Sequence, residues 1–326
     1  MRRVLRPLLM PMLRRAPDDV LRAAQHFSAR SPEGGELIAG IGKAFLGGYH
    51  AMLESRSLDA VRASGQSVAA HFRPFFFEGA AMGYLPRAYF TERAGRRRAE
   101  ADLLAMDERF LYLYYVGLGF WVGFRHPGRP DALEDLAPWL NPFYVPLCYD
   151  GFGFKLAFFD YPKRKAAAAI LERAPENRAA AIYQGFGRAL HFVCMDDEPR
   201  FQREKGMVPA ERRNDLESGR SLAFAFTGIS HPERILLHLA GSADDEERAL
   251  RLLGVTWALA ARELTDPAYF DACLRELPPS QQALLRLLPR ECRAAREESA
   301  SYEEWRTKTR DRAAAAYVAS EEVSRR

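Results

Sequence analysis

The sequence predicts an all-α protein of repeated antiparallel helical hairpins, arranged as an α/α solenoid or a closed toroid. Three observations predict it. Glycine-and-aromatic segments recur at near-constant spacing along the chain. The stretches between them are rich in Ala, Leu, Glu and Arg, all good helix formers. Strand signals are weak, with little Val/Ile alternation and no Asn-Gly hairpin turn.

The recurring segments are "AGIGKAFLGGYHAML" from Ala39, "FFEGAAMGYL" from Phe76, "YYVGLGFWVGF" from Tyr114, "YDGFGFKLAFF" from Tyr149, "YQGFGRALHFV" from Tyr183, "LESGRSLAFAF" from Leu216 and "LLGVTWALAARE" from Leu252. Aligned on Gly42, Gly79, Gly117, Gly151, Gly185, Gly219 and Gly254, they are spaced by 37, 38, 34, 34, 34 and 35 residues. Two helices of about a dozen residues and two turns account for such a period. Each helical glycine costs up to about 1 kcal/mol relative to Ala. Close approach of a neighbouring helix is the expected return.

Residues 1–30 read as a basic amphipathic lead-in, 31–295 as the helical-repeat domain and 296–326 as a charged C-terminal helix or tail. The lead-in, "MRRVLRPLLMPMLRRAPDD", is interrupted by Pro7, Pro11 and Arg14, and no small-residue cleavage site follows it. Peripheral contact with a membrane surface is the minority reading there. Nowhere does the chain reach the ~18 uninterrupted apolar residues of a membrane helix. "RHPGRPDALEDLAPWLNPFYVP" (Arg125 to Pro146), with five prolines, reads as a wrapping loop. "CMDDEPRFQREKGMVPAERRN" (Cys194 to Asn214) reads as an exposed loop with a short turn.

Composition narrows the function classes. The chain has 326 residues and a net charge of +4, and Arg supplies nearly all of its basic side chains. "RAGRRRAE" (Arg93 to Glu100) is the only dense basic run, without the clustered arginines and interleaved aromatics of a nucleic-acid surface. Cys148, Cys194, Cys273 and Cys292 show no CxxC spacing and read as reduced thiols of a cytoplasmic protein. The acidic runs at Asp196–Glu198 and Asp244–Glu247 read as solvated faces, so no metal and no cofactor is expected. No phosphate-cradling loop, nucleophile elbow or Ser-His-Asp order stands in the sequence.

With the residue before the shared glycine as position zero, positions zero, four and seven form one helical stripe. It carries Glu78, Met82 and Leu85; Asp150, Phe154 and Ala157; and Gln184, Arg188 and His191. Positions one, five and eight form a second stripe, containing Gly117, Trp121 and Phe124, and Gly151, Lys155 and Phe158. Aromatic walls with a few polar groups suit an apolar ligand. Glu78, Asp150 and His191 are the candidate catalytic residues. Gln184, Arg188, Phe154, Trp121 and Lys155 are the candidate binding residues. A carboxyl group in an apolar site can stay protonated and act as a general acid. The competing readings are a helix N-cap for Asp150, a buried hydrogen bond for Glu78 and a structural role for His191.

"GKAFLGGYHAML", "FEGAAMGYL", "VGLGFWVG", "YDGFGF", "QGFGRALHFV" and "RRNDLESGRSLAFAFTG", in that order, resemble the UnbL family of enediyne-biosynthesis-associated proteins. The resemblance covers about Gly40 to Gly228 and weakens toward Arg262. It implies a place in specialised metabolism, with an apolar polyene or enediyne-type polyketide intermediate as ligand. It also implies UnbV-like and UnbU-like pathway proteins as partners. The family pattern carries a Trp where this chain has Glu217 and a His near Lys155. Two other readings stay open: a non-catalytic scaffold or binding repeat protein, and a carbocation-type terpene cyclase. The latter rests on "NDLESGRSL", where Asn214 and Ser218 fit a metal motif but Leu222 replaces its closing acid.

Overall fold

The computed structural model describes residues 32–91, 95–160, 170–171, 173, 175–195 and 197–324, and the expected lead-in lies outside them. Every regular element among the described residues is helical. No helix there is long and apolar enough to cross a membrane. All four cysteines are free thiols. The chain forms two compact units that divide between Ile182 and Tyr183.

In the first unit the glycine segments form α1 (Pro32–Glu54), α3 (Arg73–Thr91), α5 (Leu111–Arg125) and α6 (Val145–Phe159). Two short helices, α2 (Leu58–Gln66) and α4 (Ala99–Asp107), connect them. Ser57 caps α2 by accepting from the Ala60 N–H. Between α5 and α6 the proline-rich stretch forms two 3-10 turns, Pro130–Leu133 and Ala137–Trp139, rather than a second helix. α7 (Glu176–Cys194) contains the division between the units.

The second unit continues with α8 (Glu198–Gly206), α9 (Arg213–Thr227), α10 (Pro232–Ala240), α11 (Asp245–Thr265), α12 (Pro267–Leu274), α13 (Pro279–Glu297) and α14 (Tyr302–Ser324). α8 replaces the exposed loop expected after Cys194. Asp197 accepts from the Arg200 N–H and Pro199 occupies the first turn, a start signal hidden inside a polar run. Asp244 and Glu247 likewise cap α11 reciprocally, on the Glu247 and Ala243 N–H groups.

The glycine helices pack on one another directly, in chain order. The connecting helices α2, α4, α8 and α10 have only 9 residues each, so the repeat is not a hairpin of two equal helices. Neighbouring glycine helices run the same way. Gly79 meets α1 at Phe45, and Gly83 meets it further on, at Tyr49 and Met52. Gly119 meets α6 at Cys148, and Gly123 meets it at Phe152 and Lys155.

The Gly-x-Gly segments explain how such helices come so close. A Cβ on Gly151 would stand 2.1 Å from the Val116 carbonyl oxygen of the preceding helix. A Cβ on Gly153 would stand 2.0 Å from the Ile182 oxygen of the following one. Residues two apart on a helix point about 200° apart, so the first glycine serves one neighbour and the second serves the other. α5 repeats the arrangement, with Gly117 on Glu78 O (2.1 Å) and Gly119 on Cys148 O (1.9 Å). In the second unit Gly187 faces Leu216 O (2.2 Å), Gly219 faces Gln184 O (2.0 Å) and Gly254 faces Ser218 O (2.1 Å). Each approach brings a Cα–H toward a carbonyl, a contact worth about 0.5–1 kcal/mol. Together with the packing gained, this offsets the helix-propensity cost.

One aligned position needs correction. In α1 the close contacts are Gly48 on Phe76 O (1.8 Å) and the Gly79 position on Phe45 O (1.9 Å). The equivalent of the first glycine is therefore Leu46, and Gly48 is the second. Gly42 lies one turn too early. Four glycines crowd α1 between Gly40 and Gly48, so period alone selected the wrong one.

Candidate functional site

In the first unit, position zero carries Phe45, Glu78, Val116 and Asp150 on α1, α3, α5 and α6. Glu78 is 3% exposed and Asp150 1%. Asp150 is no N-cap: α6 starts at Val145 after Tyr144, which puts the carboxylate in the second turn. Glu78 likewise lies inside α3. The Glu78 carbonyl stands at a glycine crossing, opposite Gly117, and Asp150 directly precedes Gly151, which crosses α5 at Val116.

Next to position zero, position four supplies Phe120 and Phe154. Rings connect across three helices: Phe45–Phe120 at 5.3 Å between centroids, Phe120–Phe154 at 5.2 Å and Phe154–Phe158 at 5.5 Å. The row turns through Phe158–Phe159 and Phe124–Phe159, each at 5.0 Å. Phe45, Phe124, Phe154 and Phe158 are half-buried, and Phe159 is 41% exposed. At the end of the row, the Lys155 ammonium sits 5.1 Å from the centre of the Phe124 ring and donates to Asp160 Oδ2 at 2.7 Å. Lys155 is 4% exposed; its stem passes over Gly123, where a Cβ would stand 3.3 Å from Cδ. Trp121 is half-buried on α5. The structure thus brings Phe154 and Lys155 into one row.

The opposite side of these helices is tied to the connecting segments. Tyr115 donates to Glu100 Oε1 at 2.8 Å, and Tyr149 donates to Glu134. Both tyrosines stand two residues before a shared glycine. In α9 the same place holds Glu217, fully buried, and the connecting helix α8 answers with Lys205 Nζ at 2.8 Å. Arg251 Nε lies 3.6 Å from the other oxygen of Glu217. The polarity of the tie is reversed, which gives Glu217 a structural part.

In the second unit, position zero carries Gln184 and Ser218, and α14 covers both. Gln184 Nε2 donates to the Tyr302 hydroxyl at 3.4 Å, and Arg306 donates to Ser218 Oγ at 3.3 Å while pairing with Asp215 at 2.6 Å. Trp257, at position four of α11, packs at a tilt against Tyr302 and Trp305, with ring centres 5.5 and 5.0 Å apart. Tyr302, Trp305, Thr309, Ala313 and Tyr317 form the buried stripe of α14, hidden in a segment that reads as charged throughout.

His191 does not share Gln184's neighbours. It lies edge-on to Phe224 at 5.8 Å, with Nε2 3.5 Å from Thr227 Oγ1. Burial, then Arg220 and Arg234, lower its pKa from 6.5 to about 3. Phe224 also packs at a tilt against His238, with ring centres 4.6 Å apart. Burial, then Arg251 and Arg220, lower His238 to about 3 as well. Arg188 is half-buried on α7.

Sequence reasoning missed the pairing of His238 Nε2 with Ser221 Oγ at 2.9 Å, which no motif announces. A base with so low a pKa does not activate a hydroxyl, and Ser221 is fully buried. The pair reads as a neutral hydrogen bond between helices. Asn214 donates to Glu246 and Ser218 accepts from Arg306, so both motif residues of the cyclase reading have protein partners. Among the described residues no group of three or more His, Cys, Asp or Glu is placed to hold a metal ion.

Residues 3–313 match a family described as a protein of unknown function, DUF1702. The chain belongs to DUF1702. No curated protein and no solved structure shows a significant match to it. The DUF1702 match spans both units and reaches into α14, so the covering helix is part of the family's extent.

Proposed function

We propose that this DUF1702 protein binds an extended apolar chain, of polyene or enediyne-type polyketide character, along the aromatic row of its first unit. The observation that carries the reading is the line from half-buried Phe45 through buried Phe120 to half-buried Phe154 and Phe158, with successive ring centres 5.3, 5.2 and 5.5 Å apart. Flat conjugated chains and phenyl rings present complementary apolar faces. The buried Glu78 and Asp150 share the register next to the row. The resemblance to the UnbL family motivates specialised metabolism and UnbV-like and UnbU-like partners, and the four free cysteines motivate a cytoplasmic location. Successive side-by-side glycine contacts within each unit are what an α/α solenoid or toroid would be built from, and that is the architecture we propose.

Binding is tested with a fluorescent conjugated tetraene alcohol. Phe154→Ala should weaken it by at least tenfold while leaving the thermal midpoint within a few degrees. Undiminished binding by that variant removes the row as the site.

Proton chemistry is a separate matter, assigned to Glu78. Glu78→Gln keeps shape and hydrogen bonding but removes the titratable proton. In a producing strain that depends on this gene, the expected outcome is loss of product with the protein folded and at normal level. Full product from that variant leaves a binding or scaffold protein without acid catalysis at this residue.

A further inference from the structure

We propose that the ligand of the aromatic row is a carboxylic acid, held at its head by Lys155. This rests on the binding reading above and adds the chemical class of the chain's terminus. Lys155 closes the line of rings, its ammonium over Phe124, which joins the row through Phe159. An ammonium has three N–H donors, and Asp160 is the one hydrogen-bond acceptor of Lys155 among the described residues. Only 5% of the Lys155 side chain is exposed, against 32% for Asp160, so Asp160 is the partner that borders water.

Asp160 also stands at the C-cap of α6, where the helix dipole disfavours a negative charge and favours a cation. A ligand carboxylate that replaces or joins Asp160 therefore meets a positioned ammonium, while Asp160 turns into water. A neutral terminus suits the arrangement less well: an ester or alcohol oxygen can accept from the ammonium but brings no charge to meet it, whereas a carboxylate brings both. The complementary molecule is an amphiphile with an apolar, conjugated body and an anionic head.

The test compares parinaric acid, a conjugated tetraene fatty acid, with its methyl ester on the full chain, by fluorescence titration. The wild type should bind the acid at least tenfold more tightly than the ester. Lys155→Met, which conserves volume, should abolish the preference for the acid over the ester. Asp160→Asn, at a more exposed position, should tighten the acid several-fold without affecting the ester. Equal affinities in the wild type, or a preference that survives Lys155→Met, overturn the assignment of Lys155. Failure of both acid and ester to bind overturns the aromatic-row reading itself, and the assignment with it.

Discussion

Gly151→Ala should destabilise the protein by about 3 kcal/mol, the upper part of the overpacking range, although Ala is the better helix former. The added methyl would meet the Val116 carbonyl oxygen at 2.1 Å, and a backbone oxygen cannot rotate away as a side chain can. The helices must separate, which also breaks the contact of Gly119 with Cys148 O on the same interface. Gly206→Ala is the control. Nothing lies within 4 Å of a Cβ there, at the end of α8, so the change should be neutral or stabilising by a few tenths of a kcal/mol. Chemical-denaturation midpoints of the two variants decide it. Equal midpoints would remove close backbone approach as the reason for the glycines.

The second large effect concerns acid. His191 and His238 have folded-state pKa values near 3, below the ordinary 6.5. The unfolded chain therefore takes up protons below about pH 6.5 that the folded chain refuses. The stability these residues provide is present above pH 6.5 and is lost as pH falls from there toward 3. Each ring contributes at most about 1.4 kcal/mol per pH unit, less what partial exposure screens. Between pH 7 and pH 5 the loss should be about 2 kcal/mol per ring as an upper bound. Asp215 works in the opposite direction: burial raises its pKa against the pull of Arg306 and Arg212, so protonating it relieves the fold. Thermal melts at pH 7.5 and 5.0 should show a clear fall for the wild type and a smaller one for His238→Gln. Identical melts at both pH values would mean that these imidazoles titrate normally.

Much of this molecule was legible in the residue order. The all-helical class followed from composition and weak strand signals, and the Gly-x-Gly segments marked the helices that pack together. The same alignment singled out Glu78, Asp150, Gln184 and Lys155, which are buried, and Arg188, which is half-buried. What could not be read was which neighbour each glycine serves, because both faces of a sandwiched helix are apolar. α1 was misaligned because four glycines crowd it between Gly40 and Gly48. α8 was hidden because a capped polar helix and a polar loop have similar compositions. The cover provided by α14 was hidden because its five buried side chains are spaced among Arg, Lys and Glu. Ser221 and His238, 17 residues apart, join two helices without any periodic signature.

Native mass spectrometry of the protein isolated from its own cells tests the proposed function most directly. The expected result is a co-purifying ligand released on denaturation, with an extended conjugated absorption spectrum and an acidic terminus, and depleted in Phe154→Ala. A stoichiometric ligand that is hydrophilic and unconjugated, or one retained undiminished by Phe154→Ala, would contradict the account.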